Sequence, residues 1–172
     1  MNDSIRIEPA GEEHVAGIQS LAGVIWRACY PEIITREQID YMLAWMYSPE
    51  TLRDEIRSQG ICYERLLAGS ELIGFSAYGP TEQRDAYKLH KLYLHPAWQG
   101  RGLGSQLLRH CEDAARISDA GRLLLNVNKR NERAIAVYRR NGFNVIESVT
   151  VDIGGGFVMD DYVMAKELTR ED

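Results

Sequence analysis

Along the first half of the chain, apolar residues recur at two periods. Ile5 and Ile7 alternate with Arg6 and Glu8, which predicts a short strand over 4–9. Over 12–28 the period lengthens: Val15, Ile18, Leu21, Ala22 and Ile25, with Cys29 just beyond, fall on one helical face, and Pro31 stops the run. Ile39, Met42, Leu43 and Met46 predict a second helix over 35–46, with Thr35 and Gln38 spaced as a capping box. Ser48 and Pro49 supply the N-cap and first-turn proline of a third helix, which runs through Arg57 and is ended by Gly60. The pattern then turns to strands. Segments 61–68 and 72–78 flank Gly69-Ser70 as an antiparallel pair, and a strand over 87–94 stops at His95-Pro96.

In the second half, Leu103, Leu107, Leu108, Cys111, Ala114 and Ala115 form one stripe of a helix over 102–118. Leu123-Leu124-Leu125 marks a buried strand over 122–127, and a helix over 131–140 ends at Asn141-Gly142. Strand, helix and strand in succession predict a parallel pair. Two last strands, over 143–152 and 157–168, are joined across Gly154-Gly155-Gly156. The pair Asp160-Asp161 is unusual inside a strand pattern and reads as a bulge, an edge or a contact to a bound molecule.

Composition narrows the class. With 172 residues, 45% of them hydrophobic, the chain reads as one domain over 1–172 with a proper core. A formal net charge of -5 leaves no broad basic footprint for nucleic acid and suits a cationic small substrate. Cys29, Cys62 and Cys111 lie far apart without metal-ligand spacing, and are expected as free buried thiols in a reducing cytosol. Residues 1–9 hold no apolar run, and no stretch reaches the roughly eighteen apolar residues of a membrane span, so a cytoplasmic protein with no membrane partner is expected.

The chemistry concentrates where the strand over 87–94 meets Gln99-Gly100-Arg101-Gly102-Leu103-Gly104. A glycine turn that leads into a helix start presents unpaired main-chain N–H groups and the positive end of the helix dipole to an anion. The spacing excludes a Walker loop, for which no Gly-Lys-Ser/Thr run exists, and misses the Gly-x-Gly-x-x-Gly of dinucleotide folds. It does fit Gln-x-x-Gly-x-Gly, through Gln99, Gly102 and Gly104, and so resembles the pyrophosphate loop of the GCN5-related N-acetyltransferase (GNAT) family. A second stretch resembles the same family's Asn-x-x-Ala-x-x-x-Tyr-x-x-x-Gly-Phe element, matched by Asn131, Ala134, Tyr138, Gly142 and Phe143. Both motifs occur in the family's order, one strand apart.

The resemblance implies an α/β (α+β mixed) fold: a central, mostly antiparallel mixed sheet of about seven strands, splayed between strands 4 and 5 and flanked by helices. It implies acetyl-CoA in the splay, with Leu92, Tyr93 and Leu94 along the pantetheine arm, Gln99, Gly100, Arg101, Gly102, Leu103 and Gly104 around the pyrophosphate, and Asn131 and Ala134 on the other side. Tyr138 takes the place of the family's general acid. His90 stands where spermidine/spermine acetyltransferases carry a glutamate base, and its usual pKa near neutrality suits that work; in other relatives ordered water relays the proton. Trp26, Tyr30 and Glu32 are candidate acceptor contacts. His90-Lys91-Leu92-Tyr93-Leu94 and the ending over 157–164 look like the bacterial PaiA-type acetyltransferases, some of which act on polyamines. The implied partner is a small-molecule amine, and dimers are common in the family. Plainer readings stand beside these: Tyr138 and the aromatic residues as core, His90 as a strand residue, Glu32 as a solvated carboxylate. A non-catalytic acyl-CoA sensor, or an enzyme acting on a protein N-terminus or lysine, would share the fold.

Overall fold

The computed structural model describes residues 4–169. The elements run β1 (Ile5–Ala10), α1 (Val15–Cys29), α2 (Arg36–Met46), α3 (Pro49–Arg57), β2 (Cys62–Ala68), β3 (Glu71–Pro80), β4 (Ala86–Leu94), α4 (Leu103–Ile117), β5 (Arg122–Asn128), α5 (Glu132–Arg140), β6 (Asn144–Gly154) and β7 (Phe157–Glu167). All seven strands form one sheet in the order β1-β2-β3-β4-β5-β7-β6. Among the described residues only β4 and β5 pair in parallel, and every other ladder is antiparallel. The sequence expectation of a mixed, mostly antiparallel sheet flanked by helices is met.

Apolar faces sort the helices. Val15, Ile18, Ala22 and Ile25 of α1, Ile39 and Met42 of α2 and Leu52 of α3 pack on one side of the sheet with Tyr63 and Phe75. Leu108, Cys111 and Ala115 of α4 and Ile135 of α5 pack on the other with Leu89, Leu123, Leu125 and Met164. Alternating strand side chains thus feed both of these clusters from one sheet, and a third, smaller cluster gathers Leu66, Ala68, Ile73 and Leu103.

Local chemistry departs from expectation in three places. The segment before α1 is a 3-10 turn over Glu12–His14, because the Gly11 amide donates to His14 Nδ1 at 3.0 Å and the α-helix starts only at Val15. The capping box of α2 is half built: the Gln38 amide donates to Thr35 Oγ1 at 3.2 Å, while the Gln38 side chain turns away to Val158 O at 2.7 Å. Among the cysteines Cys111 is buried as expected, but Cys29 is half-buried and Cys62 exposed, so burial of all three thiols is not observed. Among the described residues no helix is long and apolar enough to cross a membrane.

Candidate active site

The sheet opens at its one parallel junction. β4 and β5 pair from Ala86↔Arg122 to Leu89↔Leu125, and there the ladder ends. Beyond that point Lys91 to Leu94 pair only with β3, and Asn126, Val127 and Asn128 pair only with β7. Two strand edges therefore face each other across a gap, the arrangement into which an extended amide-bearing ligand can insert as a further strand.

A β-bulge sets the gap. In the β3–β4 register Tyr78 faces Leu89 and Ala77 faces Lys91, so His90 is the extra residue. A bulge bends its strand and shifts the alternation by one. Leu89 and Leu92, three apart, both pack toward α4 and α5, while Tyr93 packs toward α1 and α2. The sequence carries this signal, since leucines three apart break the strand period within the segment 87–94.

At the end of β4 the chain passes through a 3-10 turn (Pro96–Trp98) into the glycine corner. Gly100 and Gly102 both adopt φ 76°, the left-handed region that favours glycine, and a Cβ on either would meet nothing within 4 Å. The corner is an open cradle with no protein side chain against its two glycines. Gly102 caps α4 without a side-chain bond, and the first helical amide bond of α4 runs from Gln106 N to Gly102 O at 3.1 Å, so the amides of Leu103, Gly104 and Ser105 precede the helical ladder. The other corner residues hold the turn: Gln99 Nε2 donates to Leu94 O at 3.1 Å, and Arg101 donates to Ala97 O at 3.1 Å while lying over the Trp98 ring at 4.7 Å.

Across the gap, Asn131 Oδ1 caps α5 by accepting from the Ala134 amide at 3.2 Å. One turn after Ala134, Tyr138 packs edge-on against Phe143 at 5.8 Å, and its hydroxyl makes no hydrogen bond within the described residues. Tyr138 lies near Tyr30 from the end of α1 and Tyr93 from β4, and burial is the main cause that pushes all three phenols above their usual range, with Tyr93 adding to Tyr30, Tyr138 to Tyr93 and Tyr30 to Tyr138. These phenols stay protonated throughout physiological pH.

His90 behaves differently from the sequence expectation of titration near neutrality. Burial, with the charges of Lys88 and Lys91 and only partial relief from Glu55, pushes its pKa down to about 4. At neutral pH it is an uncharged imidazole of weak basicity. Behind it lies a polar group that sequence reasoning missed: Lys91, 4% exposed, donates to Glu55 Oε2 and to the Tyr63 hydroxyl, each at 2.6 Å, and Tyr63 bonds Glu55 in turn.

Of the acceptor candidates, Tyr30 borders the gap, whereas Trp26 is 2% exposed and stacks beneath Tyr30 at 4.4 Å. Glu32 has an exposed side chain, and its carbonyl accepts from Arg130 Nη2 at 2.9 Å. Arg130 also holds Ile33 O at 2.8 Å, roofing a cleft of about 300 Å³ lined by Pro31, Ile34, Thr35 and Gln38. With Gln38 on Val158 O and the Tyr41 hydroxyl on Ile153 O at 2.6 Å, the α1–α2 segment is strapped to both the β5–α5 turn and the β6–β7 ribbon.

A sheet that opens between parallel strands beside an amide cradle, with a free phenol on the opposite wall, is a site for an extended, anionic, group-bearing ligand. The chain belongs to the acetyltransferase (GNAT) family, whose model matches residues 23–143. It is similar to a spermidine N(1)-acetyltransferase of Thermoplasma acidophilum, 29% identical over 91% of this chain and 96% of that protein. It is also similar to the N-alpha-acetyltransferase RimI of Mycobacterium tuberculosis, 35% identical over 56% of this chain, which spans 61% of that relative's length. Among solved structures, the PaiA N-acetyltransferase of Thermoplasma acidophilum in complex with coenzyme A superposes with a TM-score of 0.81 at 28% identity, covering 95% of this chain and 99% of that one.

Proposed function

We propose that this protein transfers an acetyl group from acetyl-CoA to a primary amine of a small cationic molecule, by direct transfer with both substrates bound. The observation that carries the proposal is the open β4 edge ending in the glycine cradle, with the unbonded Tyr138 hydroxyl across the gap. Main-chain groups of Leu92, Tyr93 and Leu94 line the pantetheine arm, and amides from Gln99 to Gly104 hold the pyrophosphate. Arg101 sits beside that cradle, and Asn131 and Ala134 close the opposite wall. The related PaiA protein, solved with coenzyme A, supports this placement.

Bound acetyl-CoA supplies an activated acyl carbon and a thiolate leaving group with a pKa near that of cysteine, about 8.5. Tyr138 keeps its proton until sulfur departs and then donates it. An alkyl ammonium, with a pKa of about 10.4, must lose a proton before it attacks. His90, neutral and of weak basicity, is suited to orient the water that carries that proton away. Tyr30, backed by Trp26, and the Glu32 loop border the acceptor side.

The strap from Arg130, Gln38 and Tyr41 ties the α1–α2 segment to the β5–α5 turn and the β6–β7 ribbon, and a segment held on both sides favours a small acceptor over a peptide. The full-length likeness to a spermidine acetyltransferase supports the same choice. The test is to incubate the protein with acetyl-CoA and a panel of diamines, monoamines, amino acids and peptides while following free thiol. Thiol release with small amines is expected. Coenzyme A binding without acceptor-dependent thiol would mark a sensor, and turnover of peptides alone would mark a protein acetyltransferase.

The cradle gives a sharper prediction. Gly102→Val places a β-branched residue at φ 76° and a side chain where the diphosphate lies. The backbone strain of ~1–3 kcal/mol lowers the stability of free and bound protein alike, while the side chain in the diphosphate's place should raise Kd for coenzyme A by about ten-fold or more in calorimetry. Unchanged affinity would mean that the corner holds no phosphate.

A further inference from the structure

Asp161 is 5% exposed on β7 and has no place in the chemistry above. Phe157 packs on Tyr41 of α2 at 5.2 Å and Met159 joins the α1–α2 core, whereas Tyr162 and Met164 join the opposite core. Alternation therefore puts Asp161 on the α1–α2 face, where Tyr30 and Tyr93 border the gap. Asp160 differs in every respect: it is exposed, and it pairs with Lys129 at 2.6 Å and accepts from Thr150 at 3.1 Å. Among the described residues no ion pair involves Asp161. Its surroundings are the Asn126 side chain, which favours the charged form, the Tyr30 phenol, the like charge of Asp160, and the Lys88 and Lys129 ammonium groups, which lie in its field without contact.

Burying a carboxylate with a neutral partner costs stability, and here burial and Asp160 hold the carboxyl above its usual range. Asn126, Lys88 and Lys129 offset that cost only in part, and no cation contacts the carboxylate among the described residues, which points to a cation that arrives with a ligand. Position says which cation. In the order β4-β5-β7, Asp161 lies two strands from β4, about 10 Å at ~4.8 Å per strand step, and the gap widens this further. The nitrogen that attacks must lie at the β4 edge, beside His90. A ligand that reaches both places carries a second charge remote from the reacting one.

We propose that Asp161 binds a second, non-reacting ammonium of the acceptor, so that the site selects short aliphatic diamines and polyamines over monoamines. This rests on the acetyltransferase reading and names its substrate class. The experiment compares kcat/KM for an alkyl diamine with that for the monoamine in which one amino group is replaced by methyl, in the wild type and in Asp161→Asn. The wild type favours the diamine, and the variant loses about ten-fold or more of that preference, the worth of one charged hydrogen bond. An unchanged diamine-to-monoamine ratio in a variant that still binds coenzyme A would overturn the inference alone. Failure of the wild type to turn over either amine would overturn the acetyltransferase reading and this inference with it.

Stability gives a second readout. A carboxyl whose folded pKa is raised binds more protons folded than unfolded, so its penalty grows as pH rises through the unfolded and then the folded pKa and is complete above both. Asp161→Asn removes the penalty, and the melting temperature at pH 7 to 8 should rise as diamine selectivity falls. A purely structural Asp161 would give a lower melting temperature.

Discussion

Tyr138→Phe is expected to lower kcat for amine acetylation by ~10²-fold or more, the usual loss of a general acid, with Kd for coenzyme A close to the wild-type value. The structure makes the substitution a clean one. The hydroxyl has no hydrogen bond within the described residues, and the ring's contact with Phe143 at 5.8 Å survives in phenylalanine, so stability should change by no more than about 0.5 kcal/mol. Burial, with Tyr30 and Cys111 adding smaller pushes, holds the phenol above its ordinary pKa, so the acid form persists through the whole working range. The sign follows: wild-type kcat should show no fall between pH 7 and 9 from Tyr138 ionisation. Steady-state thiol release checks both statements. A Phe variant with wild-type kcat would make Tyr138 a packing residue and leave the sulfur to be protonated by solvent.

The two glycine-bearing motifs were legible because a backbone position that needs φ near 76°, or a helix cap like Asn131, tolerates few residue types and leaves them at fixed spacing. The element order was legible because periods of two and three-and-four alternate cleanly along the chain. What stayed hidden depends on partners far away in sequence. Gln38 looked like half of a capping box until Val158, 120 residues on, offered its carbonyl. The near-neutral titration expected of His90 assumed solvent, and burial beside two lysines removed it. Trp26 looked like a pocket aromatic, since periodicity marks a face without saying how deep that face lies; it is buried, and Tyr30 beside it reaches the gap. The bulge at His90 shifts a register by one residue and adds no characteristic residue type, so only the leucine spacing hinted at it.

Lys91→Met is expected to cost about 3 kcal/mol of stability, the largest loss foreseen for a single side chain here. Lys91 lies beneath the Tyr47 and Tyr63 rings, at 5.3 and 5.2 Å, and joins the α3 carboxylate of Glu55 to the sheet through a 2.6 Å bond. Removing the cation strands a carboxylate whose side chain is only 16% exposed. The ion pair itself is not a strong source of stability. Burial lowers the Lys91 pKa despite the Glu55 partner, so desolvation outweighs the attraction. For a cation with a depressed folded pKa the unfolded state binds more protons, and stability from this group rises as pH climbs toward the unfolded value near 10.4. It follows that Lys91→Met combined with Glu55→Gln should recover most of the loss, to within about 1 kcal/mol of wild type, in a urea double-mutant cycle. The single variant also reports on the site: Lys91 holds the His90 pKa down and Glu55 raises it, so deleting Lys91 alone should move the His90 titration upward from about 4 in NMR. A single variant costing under about 1 kcal/mol, or a double variant no better than the single, would show that Glu55 relaxes to water and that the triad does not brace β4 behind the bulge.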